Sequence, residues 1–208
     1  MSPGGPRARL FRAFIPDIHM ASPDQTENPF TMLSARQVYE NPWISVVEHQ
    51  VLSPGGTPGI YGVVKFKNRA VGVIPYHEGK IWLVGQYRVP LGIYSWEIPE
   101  GGSPPGEDLI EGARRELREE TGLEAHTIEP LLEMHLSNSV SDEWGIVYVA
   151  RGISPGPAAP EDTEQLVVRT VALEEAYQMV CAGTITDSLS VAGILRLVLL
   201  ERERAGGP

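Results

Sequence analysis

Acidic residues are concentrated in one short segment, where Glu116, Glu119 and Glu120 fall within five consecutive positions. Residues 107–121 contain no proline and are rich in helix formers, and Gly122 follows where a helix commonly ends. At about 100° per residue, Glu116 and Glu120 lie on the same side of this predicted helix, where like charges repel. The segment therefore needs cations beside its carboxylates.

Two kinds of cation could meet this need. Arg115 and Arg118 could neutralise the glutamates on an ordinary solvent-exposed helix face. Alternatively, the carboxylates could bind Mg²⁺, which prefers oxygen ligands and retains several water molecules. Residues 101–106 include three glycines and two prolines, which predict a loop beside the glutamates instead of a regular strand or helix.

The spacing across the whole segment decides between these interpretations. Gly101 is followed by five residues and Glu107, then by seven residues and the sequence RELREETGL at 115–123. This long gapped pattern resembles the Nudix box, the motif of hydrolases that use a divalent metal to cleave nucleoside diphosphates linked to another moiety. Because so long a pattern is far more specific than a short glycine motif, we expect a metal-dependent enzyme.

The resemblance implies roles for individual residues. The implied ligands of Mg²⁺, or of Mn²⁺ in its place, are Glu116, Glu119 and Glu120, with a backbone carbonyl at Glu100 or Gly101. Arg115 would orient a glutamate of the site, which places Arg115 and Glu119 in the expected catalytic set. Glu107 would help to fix the loop to the helix.

Two further stretches narrow the resemblance. Residues 85–88 (GQYR) and 95–102 (SWEIPEGG), together with a β-rich N-terminal extension, are similar to ADP-ribose pyrophosphatases and nucleoside diphosphate sugar hydrolases. The resemblance implies a nucleotide-sugar substrate, with ADP-ribose the first candidate, and a homodimer formed through the extension. ADP-ribose pyrophosphatases usually carry a proline shortly after the box. The corresponding stretch here, residues 137–143, contains none, which favours the broader class of sugar-nucleotide substrates over ADP-ribose alone.

Five residues are candidates for binding the substrate: Arg88, Glu97, Trp43, Ser139 and Glu143. Arg88 could bind the diphosphate through its guanidinium, or instead form a surface ion pair with Glu97. Trp43 could stack on a nucleobase at the dimer interface, or belong to a hydrophobic core. Ser139 could offer a hydroxyl to a ribose, or belong to a plain polar turn.

A separate general base is expected, because the box glutamates are committed to the metal. Such a base would lie on a mobile loop that closes over the substrate. By resemblance this loop comprises residues 160–165, in which Glu164 is the first candidate, with Glu161 and Asp162 behind it. Glu143 is a candidate from an earlier loop, and the alternative is that these acids only form a solvated turn.

The order of predicted elements indicates one α/β domain with an N-terminal extension. Residues 1–34 are predicted to be a disordered tail, residues 35–64 a small antiparallel β-sheet that forms the dimer, and residues 65–208 the hydrolase domain. Strands on both sides of the box helix and two later helices predict a Nudix-type α/β/α sandwich with a mixed sheet. Asp187, or Ser188 after it, is predicted to cap the last helix.

The composition excludes several classes of partner. The formal net charge is −10 at pH 7 and basic residues are not clustered, which argues against nucleic acid. No apolar run is long enough to span a membrane. The single cysteine, Cys181, cannot form an intrachain disulfide and is expected to be buried, and this composition suits the cytoplasm.

Two other functions are compatible with the motif. A Nudix enzyme could act on dinucleoside polyphosphates or RNA 5′ ends, although these activities do not need the N-terminal extension, and an acidic surface disfavours RNA. A non-catalytic nucleotide-sugar sensor is expected to lack a box glutamate, and none is missing here.

Overall fold

The computed structural model describes residues 27–156 and 166–206. The chain divides into two compact units. Among the described residues, the first combines 27–35 with His49–Tyr61, and the second combines Arg36–Glu48 with 62–156 and 166–206.

Three strands at the N-terminal end form a small sheet in the order β1-β2-β3. Their bounds are β1 Thr31–Glu40, β2 Ile44–Leu52 and β3 Pro58–Phe66. Strand β1 begins inside the stretch that the sequence predicts to be a tail, and residues 1–26 of that tail lie outside the described residues. Within the first unit, the rings of Phe30 and Tyr61 meet edge to face, with centroids 6.1 Å apart.

The second unit is built on a mixed sheet flanked by helices. Among the described residues, the strand order is β10-β5-β4-β9-β8, with β6 paired to β5 and β7 paired to β4. Strands β4 and β9 run parallel, and the other pairs are antiparallel. The strands are β4 Arg69–His77, β5 Lys80–Arg88, β6 Ile93–Glu97, β7 Glu100–Ser103, β8 Leu123–His135, β9 Trp144–Pro155 and β10 Val167–Ala172. The helices are α1 Leu109–Thr121, α2 Leu173–Cys181 and α3 Ser188–Arg204.

Alternate residues of the central strands face opposite layers, as the pleat of a strand requires. Val71 and Val73 of β4 pack in one buried cluster with Leu117 of α1. Ile74 of the same strand packs in a second cluster that includes Ile194 of α3 and residues of α2. The sheet therefore lies between α1 on one face and α2 and α3 on the other, which confirms the predicted α/β/α sandwich with a mixed sheet.

Helix α1 begins later than the sequence pattern predicts, because Asp108 caps it. The Asp108 carboxylate accepts hydrogen bonds from the backbone N–H groups of Ile110 and Glu111 at 2.9 and 3.3 Å. Glu107 therefore precedes the helix and does not lie in its first turn. Gly122 then ends the helix in the left-handed conformation, at φ 66°.

Two local predictions are wrong. The loop predicted at residues 101–106 is a strand in its first half, because Glu100–Ser103 pairs with β4 as strand β7. Cys181, at the end of α2, is exposed and not buried. No helix within the described ranges is long and apolar enough to cross a membrane.

Candidate active site

Two glutamates of α1 are buried against the backbone of β7. Glu116 and Glu120 are 8% and 6% exposed. A Cβ added to Gly101 would lie 2.2 Å from Oε1 of Glu116, so only glycine leaves room for that carboxylate. The backbone N–H of Glu100 donates a hydrogen bond to Oε2 of Glu120 at 2.8 Å. The fold thus brings together four of the five residues predicted to bind metal.

Arg115 connects the loop before α1 to the glutamates on the helix. Its guanidinium donates to Glu107 at 3.2 Å, to Glu116 at 2.7 Å and to the fifth predicted ligand, Glu119, at 3.1 Å. It also donates to the carbonyl oxygen of Gly102 at 3.0 Å. The hydrogen bonds with Glu107 raise the pKa of Arg115 and lower the pKa of Glu107. Arg115 is thus placed to orient two of the predicted metal ligands.

Arg88, at the end of β5, pairs with two acids. Its Nε donates to both carboxylate oxygens of Glu97 at 3.0 Å, and its Nη2 donates to Oε1 of Glu100 at 2.9 Å. Glu97 is only 2% exposed, so this is not the surface ion pair considered as an alternative from the sequence. Burial lowers the pKa of Arg88, but the hydrogen bonds to Glu97 and the charge of Glu100 outweigh it, so the pKa is raised overall.

Asp187 belongs to the site, although the sequence identifies it only as a helix cap. Its Oδ2 accepts a hydrogen bond from the backbone N–H of Ser190 at 2.8 Å and so caps α3. Its carboxylate also lies beside Glu97 and Glu100, with one oxygen of each residue within 4.8 Å of the others. No local sequence pattern indicates that Asp187 lies beside Glu97 and Glu100, because helix capping alone explains an aspartate at that position.

The combined carboxylates fit a divalent cation. Burial, and then the charges of Asp187 and Glu97, raise the pKa of Glu100 well above its ordinary value. Its Oε2 is buried and accepts no hydrogen bond from any described donor. A hard cation bound to carboxylate oxygens would compensate this crowding of negative charge. Glu100 therefore adjoins both Glu120, a predicted ligand, and Asp187, which the sequence did not predict to belong to the site.

The structure describes only one of the two loops predicted to supply a general base. Glu164, with Glu161 and Asp162, lies outside the described residues. Glu143 is half-buried at the end of the β8–β9 connection. Its burial, and then the charge of Asp187, raise its pKa.

The two other candidates for substrate binding lie on the surface. Trp43 is 67% exposed in the turn between β1 and β2, which excludes the alternative that it belongs to a core. Its backbone N–H donates to Oδ1 of Asn41 at 2.8 Å. Ser139 is exposed in the connection between β8 and β9. Neither side chain belongs to the set of buried residues that contains Glu97, Glu116 and Glu120.

Known families match both parts of the chain. The NUDIX domain matches residues 66–185, and the nucleoside diphosphate sugar hydrolase N-terminal domain matches residues 30–64. The chain is 32% identical over 176 residues to an ADP-ribose pyrophosphatase of Mycobacterium tuberculosis, with 81% of this chain and 83% of that protein covered. It is 31% identical over 171 residues to a methanol dehydrogenase activator of Bacillus methanolicus, with 81% and 92% covered.

A solved structure shares the fold. The crystal structure of an ADP compounds hydrolase superposes with a TM-score of 0.77 at 20% identity, and the match covers 84% of this chain and 95% of that one. The matched NUDIX domain includes every carboxylate of the buried site except Asp187, which lies just beyond it. The chain therefore belongs to the Nudix hydrolase family, and the N-terminal domain of nucleoside diphosphate sugar hydrolases precedes its NUDIX domain.

Proposed function

We propose that this protein is a Mg²⁺-dependent pyrophosphohydrolase of nucleoside diphosphate sugars, with ADP-ribose as the first candidate substrate. The observation that carries the proposal is the packing of Glu116 and Glu120 of α1 against Gly101 and Glu100 of β7. This packing gathers the oxygen ligands that Mg²⁺ requires. The similarity to an ADP-ribose pyrophosphatase over most of both chains supports the substrate class.

Glu100, Glu116 and Glu120 would hold the metal, and Arg115 would keep Glu119 beside them. A bound divalent cation supplies neutralisation of the diphosphate charge and lowers the pKa of a water molecule. Mn²⁺ suits the same oxygen donors. Arg115 would position these glutamates. Its own guanidinium is fixed by hydrogen bonds to Glu107 and to the carbonyl oxygen of Gly102, both of which precede α1.

Arg88 would bind the diphosphate from the side of β5. Its Nε and Nη2 are fixed by Glu97 and Glu100, whereas Nη1 forms no hydrogen bond within the described ranges. A guanidinium anchored on one edge presents its other edge to a phosphate oxygen without losing much side-chain entropy. This arrangement supports phosphate binding by Arg88 alongside its ion pairs.

The reaction needs a base that accepts the proton of the attacking water. We assign this role to Glu164, with Glu161 and Asp162 behind it on the same loop and Glu143 as the candidate from the earlier loop. The water oxygen forms a bond to one phosphorus, the bond from that phosphorus to the bridging oxygen breaks, and the proton moves to the base. The products are a nucleoside monophosphate and a sugar phosphate.

The N-terminal sheet is proposed to form a homodimer that completes the substrate site. Every residue of β1 is exposed, including Met32, Leu33, Val38 and Tyr39. Exposed apolar residues along a strand favour a surface that a second copy covers. Trp43, exposed at the following turn, would stack on the nucleobase in that dimer.

A substrate panel tests the proposed function. ADP-ribose, ADP-glucose, UDP-glucose, diadenosine tetraphosphate and 5′-triphosphorylated RNA would be incubated with the enzyme in excess Mg²⁺ or in EDTA. We expect the sugar nucleotides to be cleaved fastest, and only with Mg²⁺. Faster cleavage of diadenosine tetraphosphate or RNA would overturn the substrate class, and ADP-ribose binding without turnover would indicate a sensor instead.

A further inference from the structure

A cavity of about 430 Å³ lies in the second unit and is lined by none of Glu97, Glu100 and Asp187. Its walls are the turn between β3 and β4, the loop between β7 and α1, and the start of β9. The volume falls within the range of about 300–1,000 Å³ that is usual for small-molecule sites. The proposed reaction leaves this cavity without a role.

Arg69 gives the cavity a positive charge that no described acid neutralises. Its guanidinium carbon lies 5.3 Å from the centroid of the Trp144 ring, and it forms no ion pair with residues 27–156 or 166–206. Asn68 lines the same cavity, and within those ranges its side-chain amide forms no hydrogen bond. Two unused groups of hydrogen-bond donors therefore lie at adjacent positions of one turn.

The two acids that line the cavity already have cationic partners. Glu107 accepts hydrogen bonds from Arg115 at 3.2 Å. Asp142 pairs with Lys65 at 3.2 Å and accepts a hydrogen bond from a backbone N–H. Glu107 is therefore neutralised by Arg115, whereas Asp142, in an exposed pair with Lys65, adds a negative charge to the cavity that solvent partly screens.

Lys67 adds a second cation to the same wall. Its ammonium lies 2.8 Å from a carboxylate oxygen of Glu40, but both side chains of that pair are more than one third exposed. An exposed ion pair is weak, so Lys67 could turn toward a bound anion.

We propose that this cavity binds a nucleoside monophosphate, a phosphomonoester that carries a flat aromatic ring. Arg69 and Asn68 would donate hydrogen bonds to the phosphate. The ring would lie against the apolar surface of Pro104, Pro105 and Trp144. The proposed reaction releases a nucleoside monophosphate, so this ligand would also be a product of the enzyme. That further identification rests on the proposed function.

Calorimetric titration of the intact protein with AMP in EDTA tests the proposal, because EDTA removes any metal-mediated binding at the active site. We expect saturable binding to the wild type and at least about tenfold weaker binding to Arg69→Gln, since one charge-assisted contact is lost. Asn68→Ala is a second variant expected to bind more weakly. Arg36→Gln removes an exposed arginine that pairs with Glu48 and should bind AMP as the wild type does.

Absence of AMP binding in EDTA, or equal affinity of the wild type and both cavity variants, would overturn the proposal. Adenosine binding as tightly as AMP would contradict the role of the phosphate, and inorganic phosphate binding as tightly as AMP would contradict the role of the ring. If AMP binding in EDTA depends on Arg69 but the protein hydrolyses none of the sugar nucleotides of the panel, this site is supported and the proposed function is refuted.

Discussion

The backbone N–H of Glu100 donates a hydrogen bond to the carboxylate of Glu120 at 2.8 Å, and this bond joins β7 to α1 across 20 positions of sequence. One turn earlier on the helix, the carboxylate of Glu116 lies directly against Gly101. Two carboxylates of one helix are thereby held against one strand, so their oxygens are gathered by the fold before a cation binds.

Gly101→Ala should disable the site without disturbing the rest of the fold. The added methyl group would lie 2.2 Å from Oε1 of Glu116 and would push that carboxylate away. We expect kcat/KM for ADP-ribose to fall by about 100-fold or more, since displacement by about 1 Å is enough for such a loss. Gly62→Ala is the matched control, because a methyl group there meets no atom within 4 Å. Near wild-type kinetics of Gly101→Ala would show that Glu116 need not occupy its present position.

Glu164→Gln tests the proposed general base. Because a base acts in the transition state, we expect kcat to fall by about 100-fold or more while Mg²⁺ and substrate affinity stay near their wild-type values. Single-turnover kinetics and equilibrium binding would separate the two effects. Normal turnover of Glu164→Gln together with slow turnover of Glu143→Gln would move the assignment to Glu143.

Much of the site could be predicted where its residues belong to one continuous segment. The shared face of Glu116 and Glu120 follows from helical spacing, and the helix is present as expected. The approach of Asp187 could not be predicted, because it depends on the start of α3 packing against the segment between β6 and β7. There the hydroxyl of Ser190 accepts a hydrogen bond from the backbone N–H of Ile98 at 2.9 Å.

Strand β7 shows a second limit of local patterns. Glycines at positions 101 and 102 argue against a strand by propensity, yet Gly101 and Gly102 pair with Val71 and Ala70 of β4. Their lack of side chains lets neighbouring groups come close, since the Asn68 and Glu116 side chains occupy the space where a Cβ would stand. Tertiary packing here overrides the preference of the isolated segment.

Glu201 of α3 provides a test of stability away from the site. Its carboxylate accepts hydrogen bonds from Arg151 at 2.7 Å and from the hydroxyl of Tyr76 at 3.0 Å. Burial alone would raise its pKa, but these bonds and the charge of Arg151 lower the pKa below 4.5 overall. A lowered pKa in the folded state stabilises the fold above the unfolded pKa, and this contribution is lost as the pH falls through the folded value.

Glu201→Gln should therefore lower the free energy of unfolding by about 1–2 kcal/mol at neutral pH. The difference from the wild type should shrink as the pH falls below the unfolded pKa of a glutamate, about 4.3, and through the lowered folded pKa. Urea denaturation at the two pH values measures this. Glu203→Gln, on the same helix with a 63% exposed side chain, should change little at either pH. A destabilisation by Glu201→Gln that is independent of pH would contradict the role of the charge.

Truncation tests the proposed dimer. Deleting residues 1–26 leaves all three strands of the N-terminal sheet and should preserve both the dimer and its activity. Deleting residues 1–65 removes β1, β2 and nearly all of β3, and should abolish both. Light scattering and the ADP-ribose assay measure the two properties. A 1–26 deletion that is monomeric and fully active would refute the dimer hypothesis.

The Mg²⁺ dependence of Glu120→Gln tests the central claim most directly. The substitution removes one anionic ligand while keeping side-chain shape, and it relieves the repulsion between Glu116 and Glu120, so the folded state should be as stable as the wild type or slightly more stable. Initial rates of ADP-ribose hydrolysis would be measured across a Mg²⁺ titration, with Glu111→Gln, on the exposed side of α1, as the control. We expect Glu120→Gln to lose at least about 100-fold in rate even at saturating Mg²⁺, because the metal supplies several kcal/mol of transition-state stabilisation. Wild-type turnover by Glu120→Gln at saturating Mg²⁺ would contradict the assignment of this site.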